Sequence, residues 1–252
     1  MRILVTNDDG IDSEGLLALK RALSSVGEVV VIAPNRNWSA SGHTKTLDKP
    51  LRVATVTLPD GDMAYASDGA PSDCVALGML GLAGERPSLV VSGINKGANL
   101  GGDITYSGTV AAAMESTVSG VPAIAVSLTS FVDWHFEAAA AFAAKLAERV
   151  LKEGMEPDVL LNVNVPNLQS HEIKGVRVTR LGKRVYNDKL IERQDPFGRN
   201  YYWIGGEEPG GEGAEGTDIW ATANGYISIT PIHLDLTHHP TIQKLTDWRL
   251  RP

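Results

Sequence analysis

The sequence predicts an α/β protein, a doubly wound and mostly parallel Rossmann-like sheet with a β-rich C-terminal extension. Three observations carry this. Short apolar runs alternate with amphipathic stretches up to Pro166, polar clusters follow several of those runs directly, and beyond Pro166 the texture changes to short alternating segments. Continuous apolar runs suit parallel strands covered on both faces, and the alternation with helical patterns is that of β-α-β units. Residues 1–166 are therefore read as the α/β body and residues 167–252 as an extension within the same compact unit.

The elements follow in order. Residues 2–6 (RILVT) form a first strand, and Leu16, Leu19, Leu23 and Val26 recur at helical spacing behind Asp12 or Ser13 as N-cap. Residues 28–33 give the second strand, 51–58 a third, 72–82 a helix, 89–92 a strand, 108–118 a helix and 123–128 a strand. The Ala-rich stretch 133–152 predicts a long helix ending near Gly154, and 159–165 another buried strand. In the extension, hairpins are expected in place of helices, with strands at 176–180 and 226–232 and an aromatic segment Tyr201-Tyr202-Trp203. Residues 205–216 hold six Gly and four Glu, too polar to pack, and read as a mobile loop; a short tail closes the chain.

Composition narrows the function. With 252 residues, 43% hydrophobic and 21% charged, the chain is of ordinary globular make-up, and its net charge of −7 opposes long-range attraction to a nucleic acid polymer. The single cysteine, Cys74, has no internal disulfide partner, sits at helical spacing with Leu77 as a core residue, and fits a reducing cytoplasm. No uncharged apolar run reaches the ~18 residues of a membrane span, and the N-terminus lacks the pattern of a secretion signal.

In an open parallel sheet, ligands bind beyond the carboxyl ends of the strands, so the polar residues just after each run are the candidates. Asn7-Asp8-Asp9-Gly10 sets two adjacent carboxylates behind the first strand. A divalent cation preferring hard oxygen ligands, Mg²⁺ or Mn²⁺ in place of zinc, is the simplest compensation, although a loop with one Asp capping the next helix fits the same residues. Residues 35–46 (NRNWSASGHTKT) offer hydroxyls, Gly42 and Lys45 to an ion, and equally fit a polar surface loop. His43 in this loop is a weak proton-donor candidate, a solvated histidine being the commoner reading. Residues 92–103 (SGINKGANLGGD) combine glycines and asparagines that permit left-handed backbone and close ligand approach. Finally, Tyr106-Ser107-Gly108-Thr109 opens a helix whose first turns carry small side chains. Free amides and the helix dipole make such an end an anion site, with Ser107 as a plain N-cap the alternative. A cation site and an anion site at strand ends of one sheet point to metal-assisted chemistry on a phosphate. Walker, GxGxxG, GxSxG and HExxH patterns are absent, and His238-His239 reads as tail.

These segments, together with SASGHTKTL, DGAPSDCV, LVVSGINKGANLGGDITYSGTVAAAMES, GVPAIAVS, LNVNVP, YYW, GTD and GYISITPI, resemble the SurE (survival protein E) family of metal-dependent nucleoside-monophosphate phosphatases nearly from end to end. The resemblance implies hydrolysis of nucleoside 5′- and 3′-monophosphates, with short-chain polyphosphatase activity beside it. It implies one divalent metal ion per subunit, Mg²⁺ or Mn²⁺, on Asp8, Asp9, Ser39 and Asn95. Asp8, Asp9 and Asn95 are then the catalytic residues, and Asn95, Ser107, Gly108 and Thr109 take the phosphate. His43 and Lys45 depart from the commoner family wording of their loop. The extension resembles the family's dimerisation arm, which makes Tyr201, Tyr202 and Trp203 interface anchors of a homodimer that can pair into a homotetramer. Two rival functions remain open: a non-hydrolysing nucleotide-binding regulatory module and a general acid phosphatase.

Overall fold

In the computed structural model, residues 1–206 and 210–250 are described. The first apolar run becomes β1 (Arg2–Thr6), which α1 (Glu14–Leu23) connects to a parallel β2 (Glu28–Pro34). An antiparallel pair, β3 (Val53–Thr57) and β4 (Met63–Ser67), joins β2 through β4. The body continues with α2 (Pro71–Met79), β5 (Leu89–Lys96), a 3-10 helix (Gly101–Thr105), α3 (Gly108–Val118), β6 (Ala123–Leu128), α4 (Glu137–Glu153) and β7 (Val159–Val165). Beyond it lie β8 (Val176–Val178), β9 (Lys183–Val185), β10 (Asp188–Gln194), β11 (Asn200–Gly206), β12 (Gly210–Glu212), α5 (Asp218–Ala223), β13 (Ile227–His233) and α6 (His239–Asp247).

The main sheet has nine strands in the order β3-β4-β2-β1-β5-β6-β7-β13-β8. From β1 the parallel strands wind one way through β2 and β4 and the other way through β5, β6 and β7. The switch point therefore lies between β1 and β5, where such sheets open a crevice. Alternation along β1 assigns the two layers: Ile3 and Val5 pack with Leu16, Leu19 and Leu23 of α1 and with α4, whereas Leu4 packs with Cys74 and Val75 of α2 and Val110 of α3. Each buried Leu or Ile contributes about 1.5–3 kcal/mol, so the scaffold around the switch point is rigid. Among the described residues, no helix is long and apolar enough to cross a membrane.

The mostly parallel body matches the expectation, and several details differ. The short β4 was not expected, because half of its MAYAS sequence is polar or partly exposed. β5 runs on past Ser92 through Asn95 and Lys96, so those two residues stand on a strand. α4 starts at Glu137 and not at 133, where Asp133 takes a positive φ of 52° that no helix accepts. The extension contains α5 and α6 where hairpins alone were expected; α5 has only six residues, and α6, within the stretch read as a tail, buries none of its residues. Of the expected mobile loop, Gly205 and Gly206 close β11 and Gly210–Glu212 pair with β9, while residues 207–209 lie outside the described residues.

Candidate active site

At the end of β1 the chain turns on Asn7. Its side-chain amide donates to the Gly10 carbonyl (3.0 Å) and its oxygen accepts from the Gly10 N–H (3.2 Å). This turn sends the two carboxylates to different neighbours. Asp8 faces α3, where the Thr109 hydroxyl donates to its Oδ1, and Asp9 faces β5, where the Lys96 N–H donates to its Oδ2 at 3.1 Å. Asp8 is only 4% exposed. Burial pushes its pKa up to about 6, with the Thr109 hydrogen bond opposing and the Asp9 charge adding to the rise. Burial raises Asp9 too, against the pull of Lys96.

Two glycines make this packing possible. A Cβ on Gly108 would stand 2.7 Å from the Asp8 Cβ, so only glycine at the first position of α3 lets the helix start against Asp8. In β5 the register with β6 shifts between Ser92 and Asn95. There Gly93 takes φ +136°, and a Cβ would meet the Val126 carbonyl at 2.3 Å. Beyond the shift, the Asn95 amide nitrogen donates to the Gly97 carbonyl (2.8 Å), which turns its oxygen away from that carbonyl.

The loop that carries Ser39 is tied down along its length. Trp38 N–H donates to the Asp8 carbonyl (2.8 Å) and Gly42 N–H to the Tyr106 carbonyl (2.9 Å). His43 and Lys45 meet the buried Glu115 of α3 at 3.0 and 2.9 Å, and Thr46 donates twice to Asp73. His43 thus serves as an anchor of this loop and lies outside the cleft that holds Asp8.

Asp8, Ser39, Asn95 and Ser107 line one cleft of about 230 Å³. Asp9 lines an adjoining cleft of about 280 Å³ with Arg36, and Lys96 borders both. Ser107 caps α3 by accepting from the Val110 N–H (3.1 Å), and its hydroxyl hydrogen remains a donor. Thr109 is fully buried with its hydroxyl engaged on Asp8, whose carboxylate also draws on the Thr109 backbone N–H. The donor set fits a hard divalent cation: two carboxylates with lone pairs to spare, one amide oxygen and one hydroxyl. Among the described residues no group of three or more His, Cys, Asp or Glu is placed to hold a metal.

Three supporting side chains were not legible beforehand. Asn99 donates its side-chain amide to Ser127, while its backbone N–H and carbonyl bind the side chains of Asn164 and Asn162, which pins the loop after Asn95 to β6 and β7. Asp218, wholly buried, accepts from Gly101, Gly182 and Ile219 N–H groups at 2.7–2.8 Å. Asp103 takes Arg184 Nε at 2.7 Å and the Tyr186 hydroxyl. Their partners are distant in sequence; the density of Asn, Gly and Asp in residues 92–103 was the available signal.

Fold and site together define a doubly wound α/β protein with an acidic, oxygen-lined pocket beside a helix start at the switch point of its sheet. The family described as survival protein SurE matches residues 3–188. The 5′-nucleotidase SurE of Chloroflexus aggregans is 53% identical over 250 residues, covering 98% of this chain and 99% of that protein. That of Herpetosiphon aurantiacus is 52% identical over 251 residues, covering 98% and 97%. The crystal structure of the SurE protein from Aquifex aeolicus superposes with a TM-score of 0.86 at 45% identity, over 99% of this chain and 100% of that one. The chain belongs to the SurE family.

Proposed function

We propose that the chain is a divalent-metal-dependent phosphatase that hydrolyses nucleoside 5′- and 3′-monophosphates to nucleoside and phosphate, with short polyphosphate chains as a further substrate. It is a phosphoric monoester hydrolase, in keeping with relatives named 5′-nucleotidase. The observation that carries the reading is the contact between Asp8 and the start of α3. A buried carboxylate in need of a cation abuts a helix end that favours an anion.

Asp8, Asp9, Ser39 and Asn95 would hold one Mg²⁺ or Mn²⁺. Such an ion, when bound, lowers the pKa of water and offsets charge on the phosphate. Asn95, the Ser107 hydroxyl, the Gly108 backbone N–H and Thr109 bind the phosphate oxygens and favour the extra charge they gain in the transition state. The Asp8-Asp9 pair orients a water in line with the leaving oxygen and takes its proton. Thr109 holds Asp8 in one rotamer for this task.

Residues 167–252 serve as an extension of the same unit and as an oligomerisation arm. The β10–β11 pair forms its own two-stranded sheet, with Tyr201, Tyr202 and Trp203 exposed on it, which supports a homodimer that pairs into a homotetramer. The proposed compartment is the cytoplasm. The test is phosphate release from nucleoside monophosphates, a sugar phosphate and p-nitrophenyl phosphate, in EDTA and after Mg²⁺ or Mn²⁺ is restored. Metal-dependent release favouring nucleotides is expected. Equal release from every ester would make the chain a general phosphatase, and no release from folded protein would make it a binding module.

A further inference from the structure

The phosphate end of the cleft is accounted for above, and its outer wall is not. Besides Asp8, Ser39, Asn95 and Ser107, the cleft is lined by three aromatic rings: Tyr106, Phe131 and Tyr186. They are 64%, 68% and 44% exposed, although the segments carrying them are anchored. The Phe131 loop is tied by Thr129 N–H to the Val165 carbonyl (2.9 Å), by Asn167 to the Asp133 carbonyl (2.7 Å) and by Trp134 Nε1 to the Ser130 carbonyl (3.0 Å). The Phe131 ring itself lies against Gly97, where a Cβ would come within 2.4 Å of it. In the same lining, Tyr186 is held by its hydroxyl on Asp103, and Tyr106 leads directly into the Ser107 cap.

Exposed, fixed rings at the mouth of a polar cleft leave apolar faces in water, which a flat ligand group would cover. We infer that Phe131 and Tyr106, with Tyr186 beside them, form a stacking clamp for the nucleobase of the substrate, and that this clamp makes the enzyme prefer nucleotides over other phosphate esters. The inference deepens the phosphatase reading and rests on it. Recognition is chiefly through the face of the base, because the polar side chains on that wall are largely engaged: both Asp103 oxygens by Arg184 and Tyr186, the Asn99 amide nitrogen by Ser127, and the Lys96 ammonium over the ring of Trp134. The adjoining cleft beyond Asp9 is polar and lacks an aromatic wall; its Arg36 lies over the ring of Trp38 at 4.7 Å.

The experiment compares kcat/KM for adenosine 5′-monophosphate and for glycerol 2-phosphate in the wild type and in Phe131→Ala, Tyr106→Ala, Phe131→Tyr and Arg36→Ala, each checked for an unchanged Tm. Stacking of one base is worth roughly a tenfold effect or more. The ratio of the two kcat/KM values is therefore expected to fall about tenfold in Phe131→Ala, through KM, and by a similar factor in Tyr106→Ala, with Phe131→Tyr restoring it. An unchanged ratio in both alanine variants overturns the clamp. So does a ratio that falls only in Arg36→Ala, since the base then sits beyond Asp9. If the folded wild type cleaves neither ester with any metal, the phosphatase reading fails by itself. Calorimetric binding of the same two esters in Mg²⁺ then decides the clamp: a nucleotide preference lost in Phe131→Ala supports it, and a preference retained there overturns it.

Discussion

Asp8 and Asp218 are two buried aspartates with opposite surroundings. Asp218 is wholly buried, and three backbone N–H groups from Gly101, Gly182 and Ile219 occupy both of its oxygens. Asp8 is nearly as buried but lies beside another carboxylate, and the Thr109 hydroxyl on Oδ1, with lesser help from the Thr109 N–H and its own, does not offset its burial. Burial alone therefore does not mark a functional carboxylate; what separates the two is how fully the chain itself satisfies the charge. Asp218 is complete as folded and ties the extension to the loop after Asn95. Asp8 lines a cleft, and burial raises its pKa by more than its hydrogen bonds lower it, so the chain balances its charge only in part.

The largest effect that can break this contrast is at Asp8. Asp8→Asn is expected to lower metal-dependent turnover by more than about a hundredfold, since even groups that only support metal ligands cost about 10- to 100-fold. The same substitution should not destabilise the metal-free protein. With its folded pKa raised to about 6 above an ordinary value of 3.8, Asp8 carries no penalty at low pH, and the metal-free wild type loses stability as pH rises through that interval. Thermal melts in EDTA across that pH range read the slope directly. Asp8→Asn should flatten it, and a variant that keeps both the slope and the activity would remove Asp8 from the site.

Asp218→Ala sharpens the contrast from the other side. It strands three buried N–H donors, a cost of about 3 kcal/mol or more, which for a chain of this size lowers Tm by about 6–12 °C. Manganese affinity of the still-folded variant, measured by calorimetry below its melt, should stay within about threefold of wild type. A large loss of affinity with an unchanged Tm would mean that the two aspartates have been assigned the wrong way round.

Much of this was legible in the chain itself, for reasons that differ between body and site. β1, β6 and β7 are short, largely apolar runs that suit buried parallel strands, and α3 begins and ends where Ser107 and the small-residue run place it. α6 escaped notice because it buries nothing, and β4 because only part of its short run is buried. At the site, Asp8, Asp9, Ser107 and Asn95 stand out because polar clusters after apolar runs are locally visible. The commitment of Thr109 to Asp8 spans 101 residues, and that of Asp218 to Gly101 spans 117. Such pairings are set by strand order and not by spacing. Phe131 carries no sequence signal of its own, and its exposed ring on an anchored loop becomes visible only in the fold.

The smallest effect is expected where the chain supplies a cation of its own. Lys20, largely buried on α1, donates to Asp60 at 2.8 Å and also to Asp62. The Lys20 hydrogen bond is the main reason the Asp60 pKa is lowered, the reverse of what burial without a cation does to Asp8. A lowered folded pKa contributes stability that is present above the ordinary carboxylate range and is lost as pH falls through the folded value. Asp60→Asn should therefore cost about 1 kcal/mol or less at neutral pH, since Lys20 keeps Asp62, and the Tm gap to wild type should close as pH drops below about 4. Turnover should be unaffected, because the pair lies at the opposite end of α1 from Asp9. The pH dependences of Asp60→Asn and of metal-free Asp8→Asn then run in opposite directions, and saturating Mn²⁺ should suppress the Asp8-linked slope in wild type while leaving the Asp60 difference in place. A slope at Asp8 that persists in Mn²⁺ would mean that no cation reaches that carboxylate.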